Sequence, residues 1–102
     1  MSMTEMAGVG SDGVPQVAVV GAGYWGKNLV RNFHGLHALG AVCDSDSERL
    51  DSFKQQYPGA KMFRAYSDVL RDRTIRAVAI ATPAETHADA VREALLAGKD
   101  VF

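Results

Sequence analysis

The sequence has one cysteine, three prolines, and apolar stretches that run to five or six residues at most. A lone thiol, Cys43, cannot close an intrachain disulfide, which excludes a disulfide-stapled scaffold. Spanning a bilayer takes about 20 consecutive apolar residues, so no stretch here reads as a transmembrane helix. Neither sign of charge dominates: 11 Lys and Arg stand against 12 Asp and Glu. That balance gives no electrostatic footprint for nucleic acid or an anionic membrane, and neither is expected as a partner. Residues 1–14 lack the basic start and apolar centre of a signal peptide. They hold three glycines with Glu5 and Asp12, and they read as a disordered leader ahead of a cytoplasmic domain. What remains is 47% apolar and 23% charged, the composition of a soluble globular domain. With 102 residues in all, there is room for one such domain and not for two.

From Pro15 onward, short apolar runs alternate with helical periodicity, the pattern of βαβ units. Val17–Val20 is apolar on both faces, as a buried parallel strand requires. A helix is predicted over about residues 24–36, with Leu29, Val30 and Phe33 inward and Lys27, Asn28 and Arg31 in water. Gly35 or Gly40 is the expected stop, and Leu39–Cys43 the second strand. Ser45 with Glu48 has the spacing of a capping box for the next helix, along which Leu50, Phe53 and Tyr57 form a core stripe. Met62 and Phe63 suggest a third strand, and Ser67 a cap for a short helix carrying Val69 and Leu70 inward. Ala77–Ala81 is the fourth strand. The last helix runs over about 85–97, with Ala88, Val91 and Leu95 on its inner face and Gly98 in a left-handed cap. Asp100–Phe102 starts a fifth strand. The fold class expected is α/β, a doubly wound parallel sheet of order 3-2-1-4-5 filling residues 15–102.

Gly21, Gly23 and Gly26 form a G-x-G-x-x-G motif placed between a strand and a helix, the context that a dinucleotide fingerprint needs. Gly21 permits the tight turn, Gly23 leaves room for a pyrophosphate to approach the backbone, and Gly26 lets the helix sit close to the sheet. Open N–H groups and the positive dipole end of the helix then face the phosphates. Asp44 follows Gly26 by 18 residues, at the carboxyl end of the second strand. Its carboxylate can accept both ribose hydroxyls and repel a 2′-phosphate, and no arginine follows until Arg49, which favours NAD over NADP. The alternative for Asp44 is a turn or helix-entry residue, since Asp-Ser-Asp-Ser also suits a loop.

Strands 1 and 4 flank the switch-point crevice in this order, so the loop from Ala81 through His87 should border the nicotinamide end. Thr82 with Glu85, and Pro83 at the first helical position, also make a capping box. His87 is the acid–base candidate of the loop, although a lone histidine at a helix start is more often a surface or hydrogen-bonding residue. Tyr24 and Trp25 either cover the cofactor or pack over the helix start. His34 and His37 read as solvated, Cys43 as a small buried hydrophobe, and the three histidines make no metal-ligand pattern.

Val17–Gly26, the acid in Val42-Cys43-Asp44, Tyr66-Ser67-Asp68, Thr82-Pro83 with His87, and Ala97-Gly98-Lys99-Asp100-Val101 occur here in order. Together they resemble the Gfo/Idh/MocA oxidoreductases over about residues 16–102. The Gly-Tyr-Trp-Gly-Lys-Asn run looks most like a sugar-nucleotide branch, such as UDP-N-acetylglucosaminuronate 3-dehydrogenases. The resemblance implies an N-terminal NAD(P)-binding Rossmann domain and hydride transfer to or from a sugar or sugar nucleotide bound on a C-terminal α/β domain. It assigns Gly21, Gly23, Tyr24, Trp25, Gly26 and Asp44 to the cofactor, with Thr82, Pro83 and His87 on the nicotinamide side. It also implies a Glu-Lys-Pro motif just after the fifth strand and a second domain, both beyond Phe102. No catalytic residue is therefore assigned within this chain, which by itself is expected to be inactive. A homo-oligomer is compatible with the resemblance. A non-catalytic dinucleotide-binding or sensing module is the alternative, and a doubly wound domain used for protein contacts is a third reading.

Overall fold

The computed structural model describes residues 16–21 and 23–102, without the side chains of Tyr24 and Trp25. The leader expected over residues 1–14 and the middle residue of the Gly21–Gly23 turn lie outside the described residues. Five strands and four helices alternate along the described chain: β1 Val17–Val20, α1 Tyr24–Gly35, β2 Leu39–Cys43, α2 Ser47–Gln56, β3 Lys61–Phe63, α3 Tyr66–Arg71, β4 Ala77–Ile80, α4 Ala84–Leu96 and β5 Asp100–Val101. All neighbouring strands pair in parallel, in the order β3-β2-β1-β4-β5. This is the doubly wound arrangement that the alternating pattern predicts.

The continuous apolar runs explain the layers. β1 and β4 are buried at every position, which only a sheet covered on both faces allows. Val17 and Val19 share one face with Val30 and Phe33 of α1 and Leu50 and Phe53 of α2. Ala18 and Val20 face the other way, toward Val69 of α3 and Ala94 of α4. The chain therefore changes sides between β3 and β4, and strands β1 and β4 lead to helices on opposite faces. Their carboxyl ends open a crevice there. Among the described residues, no helix is long and apolar enough to cross a membrane.

Several local expectations are corrected. α2 is capped by Asp46, whose Oδ1 accepts from the N–H groups of Glu48 (3.0 Å) and Arg49 (3.2 Å), and not by Ser45. α3 begins at Tyr66 with no side-chain cap, so Ser67 is already its second residue. Pro83 is the cap position of α4 and not its first residue. No side chain caps that end, so Thr82 and Glu85 form no box. α1 ends on Gly35, one of the two glycines expected to stop it, while Gly40 lies within β2. His37 takes the left-handed conformation at φ 59°. Its N–H donates to His34 O, and that of Ala38 to Phe33 O, so a Schellman turn is built around a histidine. The expected Gly98 cap is present at φ 80°, with Gly98 N–H on Leu95 O and Lys99 N–H on Ala94 O.

The inner face of α4 is Ala90, Val91 and Ala94, whereas Ala88 and Leu95 are exposed. Small side chains let this helix lie close over the sheet, which leaves the larger Leu95 and Leu96 outside, 59% and 81% exposed. Just past that helix, the buried Lys99 turns inward. Its Nζ donates to Asp72 O at 2.7 Å and to Ile75 O, closing the loop between α3 and β4.

Candidate functional site

The strand ladder carries the motif residues to one end of the sheet. Gly21 N–H donates to Cys43 O at 2.8 Å, Ala81 N–H to Val20 O at 2.8 Å, and Asp44 N–H to Phe63 O at 3.0 Å. Each residue just beyond β1, β2 and β4 is thus held by its neighbour strand, and the three loops meet over a cavity of about 780 Å³. Gly21, Gly23, Asp44, Thr82 and Pro83 line it. Val20, Cys43, Ser45, Arg49, Arg64, Tyr66, Ala81 and Ala84 complete the walls.

Gly21 sits at φ 84°, in the left-handed region that glycine adopts without strain. A Cβ there would lie 3.0 Å from Thr82 Cγ2, 3.1 Å from Thr82 N and 3.3 Å from Ala81 C. The β1 and β4 loops can approach this closely only because the position is glycine. Gly23 differs: a Cβ there would meet nothing nearer than Arg49 Nη1 at 3.9 Å. Its backbone therefore faces open cavity. As the residue entering α1 it has no side-chain cap, and the first turn carries no acidic residue. Such a helix start leaves donors and a positive dipole end for an anion. Gly26 is buried at the third position of α1. The backbone of Tyr24 and Trp25 starts that helix, while their side chains lie outside the described residues.

Asp44 lines the same cavity and is 8% exposed. Its Oδ1 accepts from Asp46 N–H at 2.9 Å, and its Oδ2 accepts from Arg49 Nη1 at 2.8 Å. That hydrogen bond, with the charge behind it, holds the Arg49 proton more firmly still. Arg49 and Arg64 thus bring positive charge into a corner that Asp44 alone would have made acidic. Sequence spacing hid Arg49, five residues beyond the acid. The first turn of α2 folds it back over Asp44, and the cap at Asp46 was the signal for that turn.

The remaining polar groups are structural or latent. Tyr66 donates its hydroxyl to Ala90 O at 2.6 Å, and burial pushes it up to about 12. Burial, with Asp44 and Asp68 adding to it, likewise pushes the Cys43 thiol up to about 11, so the thiol is protonated at neutral pH. Thr82 Oγ1 is buried beside the glycine turn with no hydrogen-bond partner among the described residues, a donor and acceptor left over for a ligand. His87 is half-buried one turn into α4 and is not among the residues lining the cavity. Among the described residues, no group of three or more His, Cys, Asp or Glu could hold a metal.

The pieces fit a dinucleotide: an open glycine backbone at a helix start, a carboxylate across from it, and an unsatisfied hydroxyl between β1 and β4. A family model described as an oxidoreductase family with an NAD-binding Rossmann fold, GFO_IDH_MocA, matches residues 16–102. Inositol 2-dehydrogenase of Arthrobacter sp. (strain FB24) is 34% identical over 84 residues, 78% of this chain and 25% of the relative. Scyllo-inositol dehydrogenase from Lactobacillus casei, solved with NAD(H) and scyllo-inositol, superposes with a TM-score of 0.78 at 30% identity. That match covers 87% of this chain and 27% of the other. The WlbA dehydrogenase from Bordetella pertussis, in complex with NADH and UDP-GlcNAcA, matches at 31% identity and a TM-score of 0.75, covering 86% and 27%. The chain spans about a quarter of the length of the curated relatives it matches.

Proposed function

Because the chain belongs to the oxidoreductase family with an NAD-binding Rossmann fold, we propose that residues 16–102 are the cofactor-binding part of a dehydrogenase acting on a sugar, cyclitol or sugar nucleotide. One observation carries the proposal: Gly21, Gly23, Asp44 and Thr82, far apart in sequence, line a single cavity at the carboxyl ends of β1, β2 and β4. Ligands of open α/β sheets bind at that switch point. In this proposal the amides at the start of α1, beside Gly23, hold the pyrophosphate. Asp44 accepts from the ribose hydroxyls, and Thr82 with Pro83 borders the nicotinamide. The bound group supplies hydride exchange with a carbinol or ketone carbon. The chain's own part is to orient the dinucleotide and to shield one side of it from water. His87, half-buried and away from the cavity lining, is left with a supporting role on α4. The enzyme would work in the cytoplasm on a soluble substrate, as a homo-oligomer.

Fluorescence titration of the chain with NADH tests this directly. Saturable binding is expected below millimolar concentration, and its absence there would sink the proposal. Asp44→Asn keeps an oxygen for Asp46 N–H but removes the charge. It should weaken NADH about three- to tenfold, the worth of a charge-assisted bond partly retained, and narrow any advantage over NADPH. An unchanged affinity would remove Asp44 from the ribose site.

A further inference from the structure

We propose that the groove between α1 and α2 is a second ligand site, which binds the dianion of a small phosphate monoester through Lys27, Arg31 and Ser52. A cavity of about 360 Å³ lies there. Among the described residues, Arg49 is the one lining residue that it shares with the dinucleotide cavity, and Arg49 Nη1 is already taken by Asp44 at 2.8 Å. The whole chain is nearly neutral, with 11 Lys and Arg against 12 Asp and Glu, yet three cations and no acid line this groove. α1 supplies Lys27 and Arg31 and carries no Asp or Glu along its length. On α2, Arg49, Ser52, Phe53 and Gln56 recur at i, i+3, i+4 and i+7, which puts them on one face. Glu48 and Asp51 fall off that face and do not line the groove. Among the described residues, no acid pairs with Lys27 or Arg31. Lys27 also closes the first turn of α1, where a cation opposes the helix dipole. Helix stability gives no reason for that placement, whereas an anion in the groove does.

Lys27 and Arg31 are one helical turn apart, about 6 Å between Cβ atoms, so a single tetrahedral anion can reach both. Hydrogen bonds within the groove orient its donors. Asn28 Oδ1 accepts from Arg31 Nη2 at 3.3 Å, which steers the guanidinium and leaves its other N–H groups open. Ser52 Oγ accepts from Gln56 Nε2 at 3.3 Å, so the serine's own proton is free to be donated. An ammonium, a guanidinium and a hydroxyl thus offer donors from both helices. A phosphate monoester has three free oxygens and close to two charges to meet them, whereas a carboxylate has two oxygens and one charge. The guanidinium fork matches such an anion in shape as well as in charge. The floor of the groove is aromatic: Phe53 and Tyr57 both line it and stack with ring centroids 6.3 Å apart and 22° between planes. The organic part of the ester would lie against the half-buried Tyr57 ring.

Titration of the isotope-labelled full chain with phenyl phosphate, followed by NMR, tests the proposal without reference to the dinucleotide site. Saturable shifts are expected in the amide signals of residues 27–31 and 49–56, with a dissociation constant of about 1 mM or below. Arg31→Ala should weaken binding about five- to tenfold, and Lys27→Ala combined with it should abolish binding. Arg31→Lys keeps the charge without the fork and should fall between wild type and Arg31→Ala. Ser52→Ala should cost about threefold. Arg92→Ala removes a cation from α4, where its partner is Asp89, and should leave the affinity unchanged. Shifts confined to the dinucleotide cavity, or none at all, would overturn the proposal. So would an equal loss in Arg92→Ala and Arg31→Ala, which would make the attraction one of net charge. A tetraglutamate peptide that binds the groove more tightly than phenyl phosphate would also overturn it, in favour of an acidic protein segment.

Discussion

Gly21 and Gly23 stand two residues apart in one motif, yet the structure assigns them different duties, and alanine at each should separate stability from binding. At Gly21 the backbone is left-handed, φ 84°, a conformation costing an L-residue about 1–2 kcal/mol. The added methyl would also press on Thr82 Cγ2 at 3.0 Å and on the backbone at Thr82 N (3.1 Å) and Ala81 C (3.3 Å). The threonine methyl can rotate away, but the backbone atoms belong to the segment leaving β4 and cannot. Overpacking of that kind costs about 1–3 kcal/mol, so Gly21→Ala should lose roughly 2–5 kcal/mol in all. For a domain whose total stability is about 5–15 kcal/mol, that is a large share. In urea the midpoint should fall by roughly 1–2.5 M, taking a slope of about 2 kcal/mol per molar. Gly23→Ala meets only Arg49 Nη1 at 3.9 Å, with neither a left-handed φ nor a backbone clash, so it should lose clearly less stability than Gly21→Ala. Its methyl would stand over the open backbone, and NADH affinity should drop about ten- to hundredfold as charge-assisted phosphate bonds lengthen. Equal midpoints for the two variants would refute the close approach of β1 and β4 loops at Gly21. Unchanged NADH binding in Gly23→Ala would refute the phosphate cradle.

Two further outcomes follow from the far end of the sheet. Lys99→Met keeps the apolar stem but strips Asp72 O and Ile75 O of their donor, and should cost about 1–3 kcal/mol by urea denaturation; an unchanged midpoint would make the buried ammonium dispensable. The Asp72 carboxyl is held down at about 2 by hydrogen bonds from Thr74 and Lys61, below its ordinary 3.8. Its contribution is therefore complete above about pH 4 and is lost as the pH falls from 3.8 toward 2. Circular dichroism along an acid titration should show Asp72→Asn with a flatter stability limb in that window, and an identical limb would deny Asp72 the role.

The strand order, the layer assignment and the convergence of the glycine loop with Asp44 were all legible in the sequence. Continuous apolar runs such as Val17–Val20 allow one environment only, and parallel strands linked by helices leave few topologies. Capping was less legible. Asp44, Ser45, Asp46 and Ser47 all suit a helix entry, and propensity cannot rank them. The choice falls to Asp46 because Asp44 is fixed by β3 through its N–H and accepts from Asp46 in turn. Periodicity also misplaced the inner face of α4. Alanines count as weakly apolar in any pattern, yet Ala90 and Ala94 are what a helix lying close to a sheet needs, while Leu95 remains outside. Arg49 was hidden for a related reason: linear distance from Asp44 says little once a helix turn intervenes.

Asp44 has one more consequence, for how this position can change over generations. Its carboxylate fixes the entrance to α2 through Asp46 N–H while its other oxygen accepts from Arg49, and the residue lines the cavity. A substitution there alters scaffold and ligand site together, so genetic drift at residue 44 is doubly constrained. Ser45 and Arg49 line the same corner, and both are exposed. Natural variation in cofactor preference should accordingly accumulate at those two positions, with the acid between β2 and α2 left in place as the fixed point around which they vary.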